Sequence, residues 1–306
     1  MKEIKFHEYD GRTDDPNIKE RIHQVIEPWK KYVPGGISLI GFCSDEGVKR
    51  NKGRTGQHLG PIHVKNKLGP LAYTGKLYEY GNIFADEDLE GSQICLGEHV
   101  TRVLESKQFP IIIGGGHETL YGHYLGVRQH FKDAKIAVVN LDAHFDIRKE
   151  APSSGTMFYQ ILKDDKNIDY FVYGIEPASN TKTLFDTADE FGVTYVTMDD
   201  LRANNFEQFK EGLSKLADYD VVFGTLCMDA VQQAVAPGTS APSPNGFSSQ
   251  EVHYMVKALA QLDNLVSFDV SEVNPELDID ARTSRLAASI IYRVIQERGA
   301  HGTRSD

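Results

Sequence analysis

"VVNLDAHFDIR", Val138–Arg148, is the stretch whose reading decides the fold. It begins as an apolar run, Val138, Val139 and Leu141. It then sets Asp142, His144 and Asp146 at alternate positions. An extended chain places residues i, i+2 and i+4 on one side, roughly 6.5–7 Å apart per two residues. The three polar groups therefore share one wall, and Ala143 and Phe145 face away. A helix would spread the same residues around its cylinder. A continuous apolar run of this kind suits a parallel strand covered on both faces.

Seven other runs read the same way: "GISLIGFCS" from Gly36, "LYEYGNIF" from Leu77, "FPIIIGGG" from Phe109, "DYFVYGI" from Asp169, "VTYVTMD" from Val193, "DVVFGTLCMD" from Asp220 and "NLVSFDVSE" from Asn264. Segments with helical spacing lie between them, at Gly97–Lys107, Thr119–Phe131, Thr181–Phe191, Phe206–Leu216 and Ser249–Leu262. The last helix is expected within "LDIDARTSRLAASIIYRVI". Asp280 would cap it, Leu286, Ile290, Ile291 and Val294 would be buried, and the tail "RGAHGTRSD" would fray. The alternation predicts an α/β fold with an eight-stranded, mostly parallel sheet and helices on both faces. Right-handed crossovers send the carboxyl ends of such strands to one edge, where ligands bind. "APGTSAPSPNG", Ala236–Gly246, reads as a structured loop, so one domain is expected over 1–306.

The 306 residues are 40% hydrophobic, ample for a large core without staples. A formal charge of −11 with no basic tail argues against a nucleic-acid partner. The start "MKEIKFHEYD" carries no signal-peptide pattern, and no apolar run approaches a membrane span. Cys43, Cys95 and Cys227 form no CxxC pair or disulfide framework, so a reducing, cytoplasmic setting is expected.

Four strand ends carry polar groups. The third ends in "GGGHE" with His117, the fourth in Asp142, His144 and Asp146, the seventh in Cys227 and Asp229, and the eighth in Asp269 and Glu272. A lone Asp or His at a strand end is usually a turn residue. Several carboxylates converging on one place repel and are costly to bury unpaired. Divalent cations remove that cost, and mixed carboxylate and imidazole donors suit Mn²⁺, Zn²⁺ or Fe²⁺. Two metals about 3.5–4 Å apart can share a bridging carboxylate and hydroxide.

The motifs "GGGHE", "NLDAHFDIR", "CMDAVQQAVAPGTSAPSPNG" and "SEVNPELDIDARTSRLA" together resemble the ureohydrolases, the family of arginase, agmatinase and formimidoylglutamase. They occur in that family's order and span Gly36 to Ala288. The resemblance implies an arginase-like domain, two Mn²⁺ per chain, and hydrolysis of a C–N bond in a guanidine or amidine. By the same resemblance, His117 and Asp146 are terminal ligands of one metal, and His144 and Asp229 of the other. Asp142 bridges them, and Glu272 pairs with the cationic amidine of the substrate. Trimers or hexamers are implied as well, so a homo-oligomer stays open. The chain departs from the pattern at three places. Cys227 stands for a second bridging aspartate, Gln232–Gln233 interrupts the usual acidic run, and Phe158 replaces a proton-shuttling histidine.

"CSDEGVKRNKGRTG" supplies Lys49, Arg50, Lys52 and Arg54 near the expected site, and Arg148 follows Asp146 by two residues. The loop is either a solvated basic surface or an anion clamp. Clustered cations on an acidic chain favour a di-acid, and the loop resembles that of formimidoylglutamases. The expected substrate is N-formimino-L-glutamate, cleaved to L-glutamate and formamide by a metal-bridging hydroxide, with Arg50, Arg54, Arg148 and Glu272 holding the substrate. Asp146 would carry a proton to the leaving nitrogen. The alternatives are an arginase- or agmatinase-type guanidine hydrolase and a metal-poor pseudoenzyme acting through a protein partner. Cys43 and Cys227 end two strands and are expected to be neighbours, close enough for oxidation to compete with metal binding.

Overall fold

The computed structural model describes residues 2–301. Among these residues ten strands form one sheet: β1 Glu3–Lys5, β2 Glu27–Pro28, β3 Ile37–Cys43, β4 Leu77–Phe84, β5 Phe109–Gly114, β6 Ile136–Leu141, β7 Ile168–Ile175, β8 Thr194–Thr197, β9 Val221–Cys227 and β10 Leu265–Ser271. Their order is β1-β4-β3-β5-β10-β9-β6-β7-β8, with β2 also paired to β4. The eight expected strands are β3 to β10, and every pairing among them is parallel. The two additional strands are short segments at the β4 edge, and β1 runs antiparallel there. Neither contains an apolar run, so periodicity does not announce them.

Side chains of each central strand alternate between two cores, one on each face of the sheet. In β6, Ala137, Val139 and Leu141 enter one core, and Ile136 and Val138 the other. Burying each of these larger aliphatic side chains stabilises the fold by about 1.5–3 kcal/mol. This two-sided burial explains why the strands read as continuously apolar.

The expected helices form at Leu89–Glu105, Thr119–His130, Lys182–Glu190, Glu207–Leu216, Ser249–Ala260 and Arg282–His301. The first begins eight residues before Gly97, because Asp88 caps it by accepting the Gly91 N–H. Cys95 therefore lies inside that helix. The last helix is capped by Asp278, which accepts from the N–H groups of Thr283 and Ser284. Asp280 instead pairs with Arg285. Ile290, Ile291 and Val294 are buried as expected, and Leu286 is half-buried. Helix continues through the first part of the tail to His301, and residues 302–306 lie outside the described part. Ala236–Gly246 is pinned by Gly238 N–H to Thr283 Oγ1 and Gln233 N–H to Ser243 O, so it is a fixed loop. No helix among the described residues is long and apolar enough to cross a membrane.

Strand order also corrects the cysteine pairing. β5 and β10 lie between β3 and β9, which sets the ends of β3 and β9 roughly 14 Å apart at about 4.8 Å per strand. Cys43 and Cys227 are separate, buried, free thiols.

Candidate metal centre

The four strands with polar ends are scattered in sequence but consecutive in the sheet, in the order β5-β10-β9-β6. Parallel pairing brings all four carboxyl ends to one edge. His117 follows the glycine turn after β5. Asp142, His144 and Asp146 follow β6, Cys227 closes β9 with Asp229 just beyond, and Glu272 follows β10.

Asp142 stands at the centre. Its Oδ2 lies 3.1 Å from His117 Nδ1, and its Oδ1 lies 3.5 Å from His144 Nδ1. Asp146 Oδ2 is 2.8 Å from His117 Nδ1, and Asp229 Oδ2 is 3.3 Å from His144 Nδ1. Two overlapping donor groups result, His117–Asp142–Cys227 and Asp142–His144–Asp229, each with its ligand atoms within 4.8 Å of one another. Asp142 belongs to both. Glu272 accepts from the His117 N–H at 2.9 Å and from Gln57 Nε2 at 3.0 Å.

Charge balance tests whether cations belong here. Asp142, Asp146, Asp229 and Glu272 converge, and their ion-pair partners among the described residues are the two histidines alone. Asp229 Oδ1 is buried with no hydrogen-bond partner. Burial and the neighbouring Asp142 charge push Asp146 up to about 6. Burial, with Asp229 and Glu118 nearby, pushes Glu272 up to about 8. Burial also drives the Cys227 thiol well above its usual range. Burial works against charge on both histidines and on Asp142. Even so, the contacts among them hold His117 and His144 well above the ordinary imidazole range and Asp142 well below the ordinary carboxylate range. Surplus acceptors in a largely buried, donor-poor site fit divalent cations, and the nitrogen and oxygen donors suit a first-row metal.

Behind this cluster, around Asp269, lie groups that sequence reading missed. Thr225 Oγ1 donates to Asp269 Oδ1 at 2.8 Å and lies 3.0 Å from His117 Nε2. Asp269 also meets His123 Nδ1 at 2.7 Å. Asn140 Nδ2 donates to Asp142 Oδ2 at 3.1 Å. Extending the alternate-position rule backwards from Asp142 and Cys227 finds Asn140 and Thr225. Gln57 carries no such signal.

The cations divide. Arg148 is half-buried beside Gly155, and its guanidinium has no hydrogen-bond or ion-pair partner among the described residues. Arg54 holds the carbonyls of Thr239 and Ser240, joining its loop to Ala236–Gly246. The Arg50 guanidinium, expected to hold substrate, is instead paired with Glu46 and Glu90 in this structure. Phe158 is fully buried, stacked on Tyr170 at 3.6 Å and edge-on to His117 at 6.4 Å. An apolar ring thus fills the position where a shuttle histidine was to be looked for. A groove of about 1690 Å³ lies at the opposite edge around Ile37, Leu77, Phe109 and Leu265, and none of the acidic or histidine groups of this cluster lines it.

The Arginase family profile matches residues 36–296. The formimidoylglutamase of Geobacillus sp. (strain WCH70) is 40% identical over 301 residues, covering 93% of each chain. The crystal structure of formimidoylglutamase from Bacillus subtilis subsp. subtilis str. 168 superposes with a TM-score of 0.85 at 25% identity, covering 94% of both chains. A variant of Trypanosoma cruzi formiminoglutamase solved with Mn²⁺ gives a TM-score of 0.80 at 25% identity, over 86% of this chain and 93% of that one. With a family match over most of its length and a relative of this identity, the chain belongs to the Arginase family.

Proposed function

We propose that this protein is a formimidoylglutamase, hydrolysing N-formimino-L-glutamate to L-glutamate and formamide. The observation that carries the reading is Asp142, with one oxygen toward His117 and the other toward His144. Two Mn²⁺ are the proposed cofactors. His117 and Asp146 would hold one and His144 and Asp229 the other, with Asp142 shared and Cys227 on the His117 side. When bound, such ions supply Lewis acidity and make a water nucleophilic near neutral pH.

The chain's own residues do the rest. Glu272, held by the His117 N–H and Gln57, offers its carboxylate to the cationic formimino group. The protein thereby orients the amidine carbon and offsets its charge. Asp146 is the acid–base group best placed to move a proton toward the departing nitrogen. Phe158 and Tyr170 close one wall and exclude water. Arg148 receives a substrate carboxylate, while Arg54 shapes the mouth by fixing the loop at Thr239–Ser240.

The experiment is a reconstituted assay. Chain stripped of metal and reloaded with Mn²⁺ is incubated separately with formiminoglutamate, arginine, agmatine and guanidinobutyrate, and formamide and urea are measured. Formamide from the first substrate alone is expected. Turnover confined to a guanidine would overturn the substrate, and absence of bound metal would favour the pseudoenzyme.

A further inference from the structure

We infer that Glu118 is a positioning residue whose carboxylate clamps the loop after β3 onto the turn that bears His117. The inference rests on the reading above that this loop, through Arg54, shapes the mouth of the substrate site. Glu118 is fully buried. Its Oε1 accepts from Ser44 Oγ at 2.9 Å and from the Gly47 N–H at 3.0 Å, both in the loop. Space for it comes from missing side chains. A Cβ at Gly47 would lie 2.6 Å from Glu118 Cδ, and one at Gly116 would lie 2.0 Å from Glu118 Oε2.

Other bonds converge on the same strut. The Gly116 N–H donates to Ser44 O, and the Ser154 N–H donates to Gly47 O at 3.1 Å. Asn51 Nδ2 then donates to Ser154 Oγ, and Arg54 reaches Thr239 and Ser240. One carboxylate therefore sets the register of three segments around the mouth, and it is the chain neighbour of His117. Burying a carboxylate is costly, and bonds from a hydroxyl and an amide offset part of the cost here, while Oε2 has no partner and burial lifts the carboxyl to about 7.

The loop contains Lys49, Arg50, Lys52 and Arg54, so trypsin reports its detachment. The test compares Mn²⁺-loaded wild type with Glu118→Ala, Glu118→Gln and Ser44→Ala. Loss of two buried charge-assisted bonds in Glu118→Ala should speed cleavage in this loop and raise KM for formiminoglutamate by about 10-fold or more. Bound Mn²⁺ should be unchanged and kcat should stay within about 3-fold, since the strut acts on substrate binding. Glu118→Gln can accept the same two bonds and should restore loop protection and KM. Should Glu118→Ala not fold, Ser44→Ala and Glu118→Gln decide: faster cleavage and higher KM in the first with neither in the second support the strut. Unchanged cleavage and KM in Glu118→Ala or Ser44→Ala overturns it, as does a Gln variant as impaired as Ala. Cleavage is read without substrate, so a wild type idle on formiminoglutamate defeats the proposed reaction while the loop test still stands.

Discussion

Replacing Thr225 with valine keeps the side-chain shape and deletes one hydroxyl. That hydroxyl has a single proton, and its partner Asp269 Oδ1, 2.8 Å away, can only accept. The oxygen must therefore accept from His117 Nε2–H, 3.0 Å away. This arrangement keeps the proton on Nε2 and leaves Nδ1 facing Asp142 and Asp146. Valine would strand the buried Nε2–H and strip Asp269 of a donor, leaving it His123 at 2.7 Å and Ser271 Oγ at 3.3 Å. Each unsatisfied buried group costs about 1–3 kcal/mol, so Thr225→Val should lose roughly 2–4 kcal/mol of stability. Partners that orient a metal-ligating histidine are worth roughly 10–100-fold in metal affinity. Competition of Mn²⁺ between the protein and a chelator should show a loss of that size, and Thr225→Ser should recover most of it. A valine variant that binds Mn²⁺ as tightly as wild type would refute the reasoning, because His117 would then need no orienting partner.

Arg148→Ala should raise KM for formiminoglutamate by roughly 10–100-fold, the worth of a hydrogen bond to a charged group, with kcat nearly constant; steady-state kinetics checks it. Cys227→Asp replaces a thiol that burial keeps protonated with a carboxylate. Mn²⁺ affinity should then rise on the order of 10-fold, read by metal titration and metal content per chain. His99 is buried against Tyr80, and burial, aided by the Arg102 charge, lowers it to about 4. Because the unfolded chain binds that proton near pH 6.5, stability from this site is present above 6.5 and is lost as pH falls toward 4. The Tm advantage of wild type over His99→Gln should shrink across that window, and a constant difference would exclude His99 as the titrating group.

The central sheet was legible because burial on both faces leaves runs such as "IAVVNL" almost free of polar residues. The candidate donor cluster was legible because alternate spacing on a strand determines which side chains share a wall, and Asp142, His144 and Asp146 lie within one segment. What failed depended on neighbours distant in sequence. Cys43 and Cys227 look alike as strand ends, yet strand order places β5 and β10 between them. Arg50 looks like a free cation until Glu90, from the next βα unit, is seen to hold it. Gln57 meets Glu272 across more than two hundred residues, and local pattern carries nothing of that. Parallel sheets build their sites from such remote pairs, because every adjacent strand is reached through a crossover.

Backbone conformation adds a reason to read this edge as functional. Asp146 and Glu272 both adopt left-handed conformations, with φ of 49° and 71°. For residues other than glycine this costs about 1–3 kcal/mol each. At these two positions the turn swings a carboxylate back over the sheet edge. Asp146 reaches His117 at 2.8 Å, and Glu272 accepts the His117 N–H while its own N–H donates to Gly115 O at 2.7 Å. The strain is therefore spent on the two acids that face His117 from β6 and β10. Substituting glycine at either position would relieve the backbone but remove the carboxylate, so the local cost and the chemistry cannot be separated there.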